Sequence, residues 1–393
     1  MTITFVSNYI NHHQIPFSNA CYRELGEGYH FIQTEPMEAE RVAMGWGEGL
    51  EGLPYVKCFY EEPKACRELL LNSDIAVFGW IQWEELLDVT AVIEERLKRG
   101  KPSLRVSERL YREGQWKAIS PRGLLKKYKE HTRFRREQVG LLCAGEYVAS
   151  DFHLVRAYPG KMFRFGYFPE TRHFTREELD GKKPGDGNLH FVWAGRFMPL
   201  KHPEFAVRIG EELRREGYGF HIHMAGSGEL EEALKRQVQE KGLADAFTFY
   251  GYMEPARVRE VMERCHVHLF TSNHLEGWGA VVNESMNSGC AVVGNVEAGA
   301  VPCLVRHGEN GLTYHRSYED FAAQVKALAK DRGKIGQMGW AAYRTVADLW
   351  NAEHAAVELL RFAREWLETG RMVPAREGPF SAAPVTAFPR RRR

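Results

Sequence analysis

A chain of 393 residues is longer than one ordinary hydrophobic core, so two domains of roughly 150–200 residues each are expected. Lys and Arg number 53 against 52 Asp and Glu, which leaves no net field to draw in nucleic acid as a general partner. Seven scattered cysteines without a C-x-x-C pair, no run of 18 apolar residues and no basic leader at Met1–Val6 together predict a reduced, cytoplasmic protein without a signal peptide, zinc site or membrane span.

Ile3–Ser7 reads as a buried first strand, followed by a loop over Asn8–Phe17 and a helix over Ser18–Leu25. In open α/β sheets ligands bind beyond the carboxyl ends of the strands, which places His12 and His13 where a substrate would lie. The two rings cannot both face one way, and each has the alternative of hydrogen-bonding its own loop. Further strands are predicted at Tyr29–Gln33, Val56–Tyr60, Asp74–Phe78 and Pro102–Val106, with a helix over Lys64–Leu71. Strands alternating with helical segments predict a doubly wound parallel sheet. Gly45, Gly47 and Gly49 have the spacing of a dinucleotide fingerprint, but no clear strand precedes them and no helix follows, so a flexible loop is expected.

Residues 122–136 carry seven Lys/Arg and one Glu, with Leu124, Leu125, Tyr128 and Phe134 interleaved at helical spacing. A basic amphipathic helix of this kind lies on an anionic membrane surface or packs its apolar side on its own domain. Val139–Cys143 and Tyr147–Asp151 read as the last strands of a first domain spanning 1–170, with Phe163–Phe168 as another extended run. The polar, Gly- and Pro-rich stretch 171–188 reads as a linker.

A second domain, 189–350, opens with a strand over Leu189–Gly195, and Arg196 and Lys201 follow on the turn at its carboxyl end. Two fixed cations there can neutralise a pyrophosphate, which gains charge as it leaves. Phe220–Met224 is a strand closed by the glycine turn Ala225-Gly226-Ser227-Gly228, and Phe247–Gly251 another, ending beside Tyr252. The pairs His221/His223 and His266/His268 each share a strand face, which invites a metal reading. Neither has a third ligand near it in sequence, so both read as packed strand histidines. Val267–Phe270, a polar turn, then Glu276-Gly-Trp-Gly-Ala-Val-Val-Asn-Glu284 and Ala291–Gly294 give strand, loop, helix and strand. Backbone N–H groups at the start of that helix can hold phosphate, and small residues allow close approach. The two carboxylates bracket the turn, one suited to sugar hydroxyls and the other to a ribose.

Glu276-x₇-Glu284 within E-G-W-G, with Gly195-Arg196-x₄-Lys201, resembles the signature of retaining GT-B glycosyltransferases of family 4, of the bacterial surface-polysaccharide type. The likeness is specific over Leu189–Leu312, where Ala298–Pro302 and Gly308–Gly311 also resemble family turns, and is one of general layout over the first 170 residues. It implies an α/β protein of two Rossmann-like doubly wound domains facing a cleft. Terminal helices are expected over about 318–330 and 334–368; the stretch 351–370 would cross back to the first domain, and 371–393 would form a flexible tail. It further implies a hexosyltransferase working without metal or other cofactor, with Glu276, Arg196 and Lys201 as catalytic residues. Glu284, Gly277, Trp278, Gly279, Ala280, Val281, Gly226, Ser227 and Tyr252 would bind a nucleotide-sugar donor, of the UDP type on family frequency. Many members place a histidine after the fourth strand, where this chain has Gly79-Trp80-Ile81, so the acceptor side is assigned to His12, His13 and Trp80. Trp80 or Trp83 would form a stacking wall for a sugar, or simply pack in the core. The implied acceptor is a glycan or lipid-linked sugar of a cell-surface polysaccharide, met in the cytoplasm at the inner face of the membrane through residues 122–136. The rivals are a nucleotide-sugar epimerase of the same fold and a non-catalytic partner protein.

Overall fold

The computed structural model describes residues 1–38, 52–81, 87–115 and 120–389. The glycine-rich segment 45–49, Trp83 and the terminal arginines 390–393 lie outside the described residues. The chain forms two compact units, one of residues 1–170 with 351–393 and one of residues 171–350.

The first unit is built on β1 (Ile3–Ser7), β2 (Tyr29–Gln33), β3 (Val56–Cys58), β4 (Ile75–Phe78), β5 (Ser103–Ser107), β6 (Val139–Ala144) and β7 (Met162–Phe165). All neighbours pair in parallel, in the order β3-β2-β1-β4-β5-β6-β7. The β1, β4 and β6 residues are buried throughout, because helices cover both faces of a parallel sheet; hence these strands read as unbroken apolar runs. The helix Ile15–Leu25 returns from β1 and packs against the helix Ala352–Thr369.

Three expectations differ from this unit. Tyr147–Asp151 is not a strand: Gly145 (φ +126°) ends β6, and the chain enters the helix Val148–Leu154. A run as short as Tyr147-Val148-Ala149 does not distinguish a buried strand from a buried helix turn. The helix predicted over 334–368 is broken into Gly333–Arg344, a π turn over Thr345–Leu349, and Ala352–Thr369. Its restart is fixed by Asn351, whose side chain accepts the His354 N–H at 2.7 Å. In place of a flexible tail from Arg371, the chain runs antiparallel along β7: Arg164 N donates to Ser381 O, Phe380 N to Arg164 O and Ala383 N to Met162 O. As an edge strand, β7 offers unpaired backbone groups, and this segment satisfies them. Phe380, fully buried against Phe165 and Phe362, anchors it.

The second unit has β8 (Leu189–Ala194), β9 (Phe220–Ala225), β10 (Phe247–Gly251), β11 (Val267–Phe270), β12 (Ala291–Asn295) and β13 (Gly311–Tyr314), all parallel in the order β10-β9-β8-β11-β12-β13. Phe191, Trp193, Ile222, Met224, Val267 and Leu269 form the centre of its larger core. The segment 171–188 belongs to this unit instead of serving as a bare linker. It contains the helix Arg176–Lys182, started by a capping box between Thr175 and Glu178. Arg172 and Lys182 both pair with the buried Glu263 carboxylate, at 2.7 and 2.9 Å.

Candidate donor and acceptor sites

In the second unit the ends of β8, β9 and β10 and the loops after them are tied to one another. Gly195 N donates to Ala225 O, Phe197 N to Ser227 O, and Gly226 N to Gly251 O. The crossing is so close that a Cβ on Gly226, at φ +133°, would lie 1.9 Å from the Gly195 carbonyl oxygen. Only glycine fits there.

Lys201 stands on the 3₁₀ turn Pro199–Lys201, and its Nζ donates to Glu276 Oε2 at 2.6 Å, with both side chains largely buried. Two bonds fix the loops that carry them: Asn273 N to Leu200 O at 2.9 Å, and Thr271 Oγ1 to Lys201 O at 2.5 Å. Thr271 is itself held by Trp193 Nε1 at 2.8 Å. Arg196, five residues earlier, is exposed and forms no ion pair among the described residues.

The Glu276–Glu284 segment is pinned from a second side, since Gly299 N donates to Gly277 O and Ala300 N to Trp278 O. Gly279 has φ +89°, and a Cβ there would lie 2.7 Å from the Phe270 ring. Trp278 is 1% exposed, donates to Asn283 Oδ1 and packs against Trp350, so its indole supports the loop from within. Ala280 caps the seven-residue helix Val281–Asn287, which carries Glu284. Burial raises the Glu284 carboxyl above its ordinary range, and Arg259 and Arg172 partly offset this. Ser227 is half-buried on the glycine turn, and Tyr252 is largely exposed beside it.

Sequence reasoning missed a buried cluster behind this loop. Glu297, fully buried after β12, contacts Arg316 and lies 3.8 Å from His274 and 3.7 Å from His315. Asn295 Nδ2 donates to Ser272 O at 3.1 Å. The available signal was position: each residue sits at or just beyond the carboxyl end of a strand or in the loop after β11. His268, buried on β11, shares a hydrogen bond with Ser285 Oγ at 2.8 Å; burial, then the nearby Lys201, pushes its pKa down to about 3.

The H-x-H pair on β9 does acquire a third histidine, from the neighbouring β8. His190 Nε2–H donates to Asp186, so His190 Nδ1 accepts from His223 Nε2–H at 3.0 Å, and His223 Nδ1 from the Tyr250 hydroxyl at 2.8 Å. These groups satisfy one another.

In the first unit, His12, His13 and Trp80 come together. His12 and His13 touch ring to ring, with centroids 3.9 Å apart. His13 stacks on Tyr167, and Trp80 meets the same ring edge-on at 5.2 Å. The Tyr167 hydroxyl donates to Glu108 Oε1 at 2.6 Å. Burial pushes His12 down to about 4, and burial with His12 beside it holds His13 well below its ordinary range, so both are neutral at pH 7. A small cleft of about 20 Å³ lies among Phe17, Phe31, Trp80, Phe165 and Tyr167. Tyr167 and Glu108 were missed by sequence reasoning, although they follow β7 and β5 closely.

Solved structures show the same architecture. A protein from Anabaena, Alr3699/HepE in complex with UDP, superposes with a TM-score of 0.66 at 14% identity, over 92% of this chain and 100% of that one. The pneumococcal O-GlcNAc transferase GtfA, in complex with UDP and GlcNAc, gives 0.64 at 10% identity, over 93% and 99%. The fold is GT-B. Residues 175–345 match the family of glycosyl transferases group 1, and the match falls within the second unit. Over 228 residues the chain is 31% identical to a D-inositol 3-phosphate glycosyltransferase of Nocardia farcinica, covering 53% of this chain and 49% of the relative. Over 180 residues it is 27% identical to a GDP-mannose-dependent alpha-(1-6)-phosphatidylinositol monomannoside mannosyltransferase of Mycobacterium tuberculosis, covering 44% and 46%. The chain thus spans about half the length of these curated relatives. Among the described residues no helix is long and apolar enough to cross a membrane.

Proposed function

We propose that this GT-B protein is a retaining glycosyltransferase of family 4 that moves a hexosyl group from a nucleoside-diphosphate sugar, UDP-linked by preference, to a glycan or lipid-linked sugar. The observation that carries the reading is the largely buried Lys201–Glu276 pair, held on loops that follow β8 and β11 within the segment matching glycosyl transferases group 1. Lys201 and the exposed Arg196 would hold the diphosphate and stabilise the charge that grows on it as the glycosidic bond breaks. The helix Val281–Asn287 is only two turns long, so its N–H groups add to these cations without replacing them. Glu276 would accept hydrogen bonds from the donor sugar and screen its developing positive charge. Glu284 would hold the ribose, and Gly226, Ser227 and Tyr252 would flank the nucleotide. Attack from the face the diphosphate leaves, with the departing phosphate oxygen taking the acceptor's proton, gives retention without a separate base. Because two side chains supply the cations, activity is expected to persist in chelator.

Acceptor recognition falls to the first unit, where Trp80, Tyr167 and neutral His13 form an aromatic wall for a sugar ring. The helix Pro121–Glu130 fits an acceptor presented at the inner face of the membrane. It buries no residue, and Leu124, Leu125 and Tyr128 are 42%, 55% and 55% exposed among the lysines. A role in cell-surface polysaccharide synthesis follows from that acceptor class. The decisive experiment is a thermal-shift screen against UDP, GDP, ADP, their common sugar conjugates and NAD in the absence of metal. One nucleoside diphosphate should stabilise the protein, and Lys201→Ala should abolish the shift. No response to any of them would remove the donor site and favour a non-catalytic partner, while donor turnover without acceptor would favour an epimerase.

A further inference from the structure

We propose that the second unit carries a separate binding site for one neutral pyranose unit, in a cavity at the amino end of its sheet. The cavity holds about 200 Å³ and is lined by Leu179, Asp180, Lys183, His266, Ile335 and Trp340, among others. His266 immediately precedes β11, and the lining residue Gly289 comes just before β12. The loops that carry Lys201 and Glu276 leave the opposite ends of the strands, so the two sites lie at opposite ends of the sheet.

The lining specifies the ligand. Trp340 is half-buried and stacked on Tyr343 with centroids 4.9 Å apart and planes 18° apart, which fixes its indole as a flat apolar platform. The C–H face of a pyranose suits such a platform. His266 Nδ1 accepts the His190 backbone N–H at 3.1 Å, which leaves its proton on Nε2. Burial, reinforced by Lys183 and His190, lowers its pKa to about 4, so the ring is a neutral donor at pH 7. Lys183 Nζ gives two of its three protons to Cys265 O and Ser288 O, at 2.5 and 3.2 Å, and keeps one. Asp180, exposed toward solvent, pairs with Arg176 at 3.6 Å through Oδ2, and its carboxylate has lone pairs left for hydroxyl groups. An anion would meet Asp180 and a cation Lys183, so a neutral polyol suits both. The volume falls below the roughly 300–1,000 Å³ of drug-sized sites, which selects one ring over a nucleotide sugar.

Binding here does not rest on the transferase reading, although a chain that extends glycans would use such a site to retain a distant part of one. Lys183 also bonds the carbonyl of Ser288, directly after the helix that carries Glu284. Occupancy is therefore read at its own site and not through turnover.

The test is saturation-transfer NMR on the full chain with methyl α-glucopyranoside, methyl α-mannopyranoside and methyl β-galactopyranoside, in wild type and in Lys201→Ala. Ring protons of at least one glycoside should show saturation in both proteins. Asp180→Asn and Trp340→Phe, which keep the size of each side chain or its aromatic character, should weaken the signal, and Trp340→Ala should remove it. Absence of saturation for all three glycosides overturns the proposal. So does a signal that all three variants leave unchanged, or one that Lys201→Ala removes, which would assign the sugar to the donor loops. A donor site that fails its own thermal-shift test leaves these outcomes unaffected.

Discussion

The two units share a plan, a parallel sheet wrapped by helices with its working loops at the carboxyl ends of the strands, yet those loops differ in chemistry. In the second unit they are rich in glycine and centred on the Lys201–Glu276 pair. In the first they are aromatic, with Trp80, Tyr167 and two histidines held neutral by burial. A diphosphate needs fixed cations and close backbone approach, whereas a sugar acceptor needs a wall to lie on and a nearby hydroxyl or carboxylate. Under the proposed function one architecture would serve both, because the scaffold fixes the strands and leaves the loops free to vary.

The largest effect is expected where the second unit's loops cross. Gly226→Ala brings a Cβ to 1.9 Å from a carbonyl oxygen at a positive φ. It should cost more than about 4 kcal/mol or prevent folding, as read by thermal or denaturant melting. An unchanged Tm would mean that the crossing is looser than described. Next in size, Lys201→Ala should lower kcat by about 10²–10³-fold in a transferase assay with donor and acceptor saturating, and should also lower Tm because it leaves the largely buried Glu276 unpaired.

Acid should destabilise both units. His12 and His266 titrate at about 4 and His268 at about 3 in the folded protein, against an ordinary value of 6.5. Between those values the unfolded chain binds more protons, so stability is full above pH 6.5 and is lost as pH falls toward 4. His12→Gln should flatten this slope in the first unit and His268→Gln in the second, measured as Tm against pH. A slope that neither variant alters would assign acid lability to the carboxylates.

Trp80→Ala should raise the acceptor KM by about tenfold, near 1.4 kcal/mol, and leave the donor KM unchanged, which separates the two units kinetically. Equal effects on both substrates would erase that division. The smallest change is expected from Leu125→Ser with Tyr128→Ser. It should reduce sedimentation with anionic vesicles several-fold without altering turnover of a soluble acceptor.

How much of this was legible in the sequence depended on how local each feature is. β1, β2, β10 and β11 were read with the bounds they have, since an apolar run between turn residues reports burial directly. The Lys201 and Glu276 loops were readable because their spacing and glycines are contiguous, although nothing in the spacing said that the two side chains touch. Tyr147–Asp151 was misread because five residues, only Tyr147, Val148 and Ala149 of them apolar, are too few to show a period. The 371–389 segment was misread because its value lies in an unpaired edge of β7 more than two hundred residues earlier. Glu297, Tyr167 and Glu108 escaped notice because a single polar residue after a strand has no meaning until its neighbours are known.

By itself, the sequence determined the parallel α/β plan and the glycines, cations and carboxylates of the loops after β8, β9 and β11. These depend on periodicity and on backbone conformations that few residues tolerate. Tertiary structure alone decided that Trp278 supports the loop from beneath, that His190 completes the histidine chain across β8 and β9, and that Trp80 and His13 meet on Tyr167. Each is a contact between residues remote in sequence, and burial and partnership across such distances are set by packing, which no local pattern encodes.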